Sequence, residues 1–387
     1  MSAPAVAFYA PMKPPDDPRP SGDRRLARAL LSALARAGFA PALASRFKSR
    51  DGAGDPARQQ ALIAQAEREA DRLIAAYRAA PAATRPGLWL TYHSYYKAPD
   101  LLGPRVAAAL GVPYVLVEAS HAEKRLGGPH ARFAAAAATA IRAADLVLQP
   151  NPDDRAGAGA LLKPGARQVD FPPFLDIAPF APDPARRAEA RAGIAARLGL
   201  DPTACWLVTA AMMRPGAKQA SYHVLAEALR RLPADAPSWA LIAAGDGPAR
   251  AAVEAAFADL PAVRLTPAVG QEAVAALYAA GDLFVWPAVE EAFGYALLEA
   301  QAAGLGAVVG DRPGVRALVA PGETAWLAPE GDAPAFAEAL LAALRDPAAR
   351  RAAGDAAALR AAARSDLAPA AERLGALLRA LIGQPAA

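Results

Sequence analysis

Along the chain, apolar runs of four to seven residues alternate with longer segments in which apolar positions return every three or four residues. The short runs lie between loops bearing Gly, Pro and Asp, a pattern that predicts parallel strands joined by crossover helices. In the first half the predicted strands are 5–10, 40–45, 88–92, 114–119, 146–149 and 167–171. In the second they are 206–212, 239–245, 263–268, 283–287, 306–310 and 325–329. The stretch "FPPFLDIAPFAPDPARR" (171–187) is proline-rich and without period, which marks a linker. This places one doubly wound, Rossmann-like α/β domain over 1–175 and a second over 176–364. Sheets of this kind bind ligands at the carboxyl ends of their strands, so two of them facing each other put a ligand in the cleft between.

Composition narrows the class. A chain of 387 residues exceeds one ordinary domain and can bury two cores. It is 54% hydrophobic, yet no uninterrupted apolar span of about 18 residues predicts a membrane-crossing helix. The start, "MSAPAVAFYAPMKPP", lacks the basic and apolar regions of an export signal and reads as a first strand, so a cytoplasmic protein is expected, at most touching the inner face of a membrane. The single cysteine, Cys205 in "ACWLVTA", reads as a buried structural thiol. The net charge of +4 is interspersed, and no patch for nucleic acid stands out. The arginines of "GDRRLARALLSALARAG" fit a solvated helix face or, more sharply, attraction to phosphate or an anionic membrane surface.

Candidate chemistry lies in the strand-to-helix loops. The long first loop (11–25) leads through Ser21-Gly22-Asp23 into a helix whose amides suit a phosphate or sugar hydroxyl, although prolines stiffening a surface loop account for it equally. Arg214 and Lys218 in "TAAMMRPGAKQASYHVLAEAL" put two cations beside a helix N-terminus, where a diphosphate would be neutralised, or else are plain surface charges. Gly245 and Gly247 in "AAGDGPAR" permit a tight turn with close backbone approach, but without the third glycine of a dinucleotide fingerprint. In "EEAFGYALLEAQAAGLGAVVGD" (290–311), Glu291 and Glu299 are eight positions apart, about 12 Å along a helix. That is the reach from hexose to ribose in a nucleoside-diphosphate sugar, with the amides of Phe293, Gly294, Tyr295 and Ala296 between. A dipole-favoured first acid and a solvated second one explain the bare pair as well.

Taken in order, these segments resemble glycosyltransferases of the GT-B fold, in particular the retaining family 4. The donor-binding block of that family is matched by residues 277–332, where Glu291-Ala292-Phe293-Gly294 and Glu299 fit E-x7-E and "GETAWLAPEGD" fits the segment after it. The resemblance implies that Glu291 approaches the donor sugar, that Glu299 holds the ribose, and that Arg214 and Lys218 contact the diphosphate. It further implies transfer of a hexosyl group to a hydroxyl of a glycan or lipid-linked acceptor, with retention and with the leaving phosphate taking the acceptor's proton. The nucleotide sugar serves as co-substrate, with no metal required, and the final helix (365–387) crosses back to the first domain. The chain departs from the pattern in four places. Met213 stands where the family's arginine falls, Ala317 replaces a glutamate, and Ser21-Gly22 replaces paired glycines. The usual histidine position is Ala119, flanked by Glu118 and His121, while His93 ends the preceding strand; these three are the candidates to serve the sugar. His130 and His223 offer no comparable case. No GxSxG, HExxH or GxxxxGK[ST] is present, which argues against common hydrolases, zinc proteases and P-loop proteins. A nucleotide-sugar epimerase of the same fold and a non-catalytic nucleotide-sugar-binding protein are the rival readings.

Overall fold

The structure is a computed structural model that describes residues 3–17 and 21–383; residues 18–20 of the first loop and 384–387 of the predicted final helix lie outside the described residues. The chain divides into two units, Met1–Leu175 with Leu367–Ala387, and Asp176–Asp366.

In the first unit β1 (Ala5–Tyr9), β2 (Ala40–Ser45), β3 (Leu88–Ser94), β4 (Tyr114–Ala119), β5 (Leu146–Gln149) and β6 (Arg167–Asp170) form a sheet in the order β2-β1-β3-β4-β5-β6. In the second, β7 (Cys205–Ala210), β8 (Trp239–Ala244), β9 (Val263–Thr266), β10 (Leu283–Trp286), β11 (Ala307–Asp311) and β12 (Ala325–Pro329) run β12-β11-β10-β7-β8-β9. Every pairing is parallel. Helices cover both faces of such sheets, so the central strands carry continuous apolar runs: Leu88, Trp89 and Leu90 in β3 and Leu283, Phe284 and Val285 in β10 are fully buried.

Six of the twelve strands stop one or two residues before the predicted run does and β2, β4, β5 and β12 end where it ends, whereas β11 runs on by one residue and β3 continues through His93 and Ser94, where Ser94 pairs with Ala119 of β4. The strand orders fix where loops diverge. In the first unit the chain leaves β1 for β2 on one side, and β3 lies on the other, so the crevice opens between the carboxyl ends of β1 and β3. In the second unit the corresponding point lies between β7 and β10.

Two helices close the first unit on one side. The helix Gly22–Arg36 buries Leu26, Leu30 and Leu34, and the helix Leu367–Ile382 buries Leu374 and Leu378. Arg379 donates to the Ala37 carbonyl at 3.0 Å, and Gly375 lies against Ala37 so closely that an added Cβ would stand 3.0 Å from that methyl. Arg24 of the first helix corrects the expectation from sequence, whereas Arg28 and Arg36 are exposed as a solvated face implies. Arg24 is 6% exposed and pairs with Asp17 at 3.0 Å, and Arg28 donates to the Pro15 and Asp17 carbonyls. Arg24 and Arg28 thereby tie the helix to residues 15–17 of the first loop. Cys205 is buried at the start of β7, and burial pushes its thiol pKa up to about 11. Among the described residues no helix is long and apolar enough to cross a membrane.

Candidate functional site

In the second unit, Lys218 and Glu291 meet at the crevice between β7 and β10. Lys218 is in the first turn of the helix Ala217–Arg230, which follows β7; Glu291 is in the loop that leaves β10. The Lys218 ammonium donates to Glu291 Oε2, which also accepts from Trp286 Nε1 at 3.2 Å, and the ammonium stands 5.2 Å from the Trp286 ring centroid. Both charged side chains are mostly buried, at 28% and 16% exposed, so their pairing is screened less than a surface ion pair.

The loop carrying Glu291 is fixed from three sides. Ser221 Oγ accepts from the Val289 amide at 3.0 Å, and Glu330, paired with Arg312 at 2.9 Å, accepts from the Glu290 amide at 2.6 Å. Beneath the loop, a Cβ on Gly310 would stand 1.8 Å from the Pro287 carbonyl oxygen, and one on Gly314 would stand 1.4 Å from that of Ala292. Ala288 and Glu290 take left-handed φ values of 55° and 48° within this loop. Gly294, with φ 80°, then opens the helix Tyr295–Ala302, so Glu291 lies before the helix and not within its first turns as the bare spacing suggested. Its side chain lies beside Gly294, where an added Cβ would stand 3.5 Å from Glu291 Cγ. Glu299 is inside the helix and 4% exposed, which removes the reading of a solvated second acid. Phe293 and Tyr295 are also buried and meet edge to face at 5.8 Å.

The other candidates in this unit divide. Gly245 and Gly247 make the close backbone approach expected of them, but to the β7 loop: their added Cβ atoms would stand 2.0 Å from the Ala211 oxygen and 2.3 Å from that of Met213. Met213 is fully buried, and its amide and carbonyl bond to Asp246 and Ala249. Arg214 is exposed beside it and is not drawn into the Lys218–Glu291 group. His223 is exposed on its helix.

In the first unit, His93 and Glu118 lie side by side on β3 and β4 and share left-handed φ values of 63° and 62°. His93 Nδ1 donates to Asp23 Oδ1 at 3.1 Å and lies 3.7 Å from Glu118 Oε1. Asp23 also accepts from Lys13 and, at 3.0 Å, from the Ser21 hydroxyl. Burial disfavours the imidazolium, yet the Glu118 and Asp23 carboxylates outweigh it and hold the His93 pKa above the ordinary value. Burial likewise opposes the Asp23 carboxylate, but His93 and Lys13 carry its pKa well below the usual range. Glu118 titrates high because it is buried, an effect that His93 only partly offsets. Gly22 is exposed in the first turn of its helix. His121 is outside this group; its carbonyl is packed against Gly157, and burial with the Arg142 charge lowers its pKa. His130 stacks edge-on with Tyr96 at 5.2 Å.

Trp286 and Asp23 complete the two groups, and neither stood out from sequence. Trp286 is hidden as the last residue of an apolar strand, although its position just before the Glu291 loop was a usable signal. Among the described residues no three His, Cys, Asp or Glu are grouped so as to hold a metal ion.

Residues 205–346 match the family profile described as glycosyl transferases group 1. The D-inositol 3-phosphate glycosyltransferase of Frankia alni is 29% identical over 69% of this chain and 69% of its own length. That of Streptomyces avermitilis is 30% identical, over 68% of this chain and 60% of its own length. Among solved structures, sucrose-phosphate synthase from Thermosynechococcus elongatus superposes with a TM-score of 0.72 at 20% identity, covering 98% of this chain and 99% of that one. Anabaena HepE in complex with UDP superposes with a TM-score of 0.73 at 15% identity, covering 98% and 100%. The profile match places the second unit among the group 1 glycosyltransferases, and the two parallel six-stranded sheets with these structural neighbours show the GT-B fold for the chain.

Proposed function

We propose that the protein is a retaining hexosyltransferase that uses a nucleoside-diphosphate sugar and delivers the sugar to a hydroxyl of a glycan or lipid-linked acceptor. The observation that carries this reading is the pairing of Lys218 and Glu291 at the strand-order reversal of the second unit, beside the start of the helix Tyr295–Ala302. A diphosphate needs cations and oriented amides as its bond to the sugar breaks, and Lys218 and that helix supply them. Glu291 is the carboxylate placed to meet the sugar, and Glu299, buried two turns further on, is assigned to the ribose. Arg214, exposed at the same loop, reaches the diphosphate from solvent. The proton of the acceptor hydroxyl passes to the departing phosphate oxygen, so no step is routed through a metal. The Asp23–His93–Glu118 group of the first unit is assigned to sugar or acceptor hydroxyls. Anabaena HepE has also been solved in complex with UDP-glucose, which supports a nucleotide-sugar donor for this fold.

The test is a thermal-shift screen with UDP, GDP, ADP and their sugars, followed by nucleotide release with and without candidate acceptors. Stabilisation by one nucleoside diphosphate and acceptor-dependent release are expected. Conversion of the nucleotide sugar at full rate without acceptor would point to epimerisation and defeat the proposal. Glu291→Ala should abolish transfer while leaving the fold intact; wild-type turnover would remove Glu291 from the mechanism.

A further inference from the structure

Trp286 closes β10 at 5% exposure and touches both members of the charged pair: its Nε1–H donates to Glu291 Oε2 at 3.2 Å, and Lys218 stands over its ring. Tyr222 packs edge-on against the indole at 5.1 Å, and the Tyr222 hydroxyl donates to the Ala211 carbonyl at 2.9 Å, so the β7 loop itself holds the ring in place. Lys218 is meanwhile committed to Glu291. A diphosphate that takes Lys218 must therefore compete with that carboxylate, and Glu291 then loses its cation.

We propose that the Lys218–Glu291 pair is an exchangeable latch, and that Trp286 is the positioning residue that keeps Glu291 in place once a diphosphate has drawn Lys218 away. This rests on the donor-site reading above. A diphosphate carries more negative charge than a carboxylate and wins the ammonium. The carboxylate does not swing out, because its loop is tied to Ser221 and seated on Gly310 and Gly314, and because the indole N–H still donates to it. Nucleotide arrival and release of Glu291 for the sugar become one event.

The latch makes a prediction opposite to that for an ordinary contact residue. In calorimetric titrations of the full chain with UDP, GDP and ADP, Glu291→Gln should bind the preferred diphosphate about two- to tenfold more tightly than wild type, the range expected when a competing ion pair is removed. The gain should vanish when Lys218→Ala is added. Trp286→Phe keeps the ring under Lys218 and loses only the N–H. It should bind the diphosphate within about twofold of wild type yet turn over the nucleotide sugar about tenfold more slowly at nearly unchanged KM. Equal or weaker binding by Glu291→Gln overturns the latch, and wild-type turnover by Trp286→Phe overturns the positioning role. If Trp286→Phe does not fold, the Glu291→Gln and Lys218→Ala pair decides alone. A wild type that binds none of the three diphosphates defeats the donor-site reading itself, whereas a wild type that binds beside a Glu291→Gln variant without gain defeats only the latch.

Discussion

His93 and Glu118 show how single residues are held in costly conformations. A left-handed backbone costs a non-glycine residue on the order of 1–2 kcal/mol, and here two neighbours on adjacent strands bear it together. What holds His93 there is the pairing of its ring with Asp23 and Glu118. Because the folded pKa of His93 is raised, its contribution to stability is complete below the ordinary histidine pKa and is lost as pH rises through the folded value. His93→Gln should therefore lower Tm by on the order of 3 °C or more at pH 6, with a smaller gap at pH 9, as scanning calorimetry would register. A gap that widens with pH would show that the imidazolium is not what stabilises this group. At Lys218 the expectation concerns binding. Lys218→Ala should weaken the nucleoside diphosphate by about tenfold or more, the worth of a charge-assisted hydrogen bond, and unchanged affinity in a titration would rule out its phosphate role.

At the scale of elements, the crossover between β11 and β12 supports the Glu291 loop from below. Gly314, in the helix Pro313–Leu318, leaves no room for a side chain under the Ala292 carbonyl. Gly314→Ala must lift that loop, at a cost of about 1–3 kcal/mol, and should weaken diphosphate binding out of proportion to the fall in Tm. A variant with lowered Tm and intact binding would mean that the loop position is not transmitted to the site. The central strands were legible because burial on both faces makes a parallel strand a continuous apolar run, whereas β2, β6 and β9 are partly exposed and stood out by their place in the alternation. The supports of the site were not. Gly310 and Gly314 are ordinary glycines in sequence, and only the fold shows which carbonyls they admit. The Glu291–Glu299 spacing was legible, but its conversion into helical rise was not, since Gly294 interrupts the helix path between them.

For the whole molecule, the helix Leu367–Ile382 belongs to the first unit although it follows the second in sequence. Leu374 and Leu378, both fully buried, contribute about 2 kcal/mol each. Truncation after Asp366 should lower the stability of the first unit, seen as faster amide exchange in β1 and in the helix Gly22–Arg36, while exchange in β7 and β10 holds. Equal loss of protection in both sheets would show that the two units unfold as one. The sequence by itself determined the element order, the parallel sheets and the loops in which the charged candidates fall, because those follow from local periodicity and burial. Only the tertiary structure decided that Lys218 meets Glu291 across 73 residues, that Trp286 touches both, and that Asp23 joins His93 and Glu118. Those meetings depend on the order of strands in each sheet, which brings the ends of β7 and β10, and of β1, β3 and β4, side by side. Strand order is set by the competition among all possible packings of the helices and strands, and no local stretch of sequence encodes it.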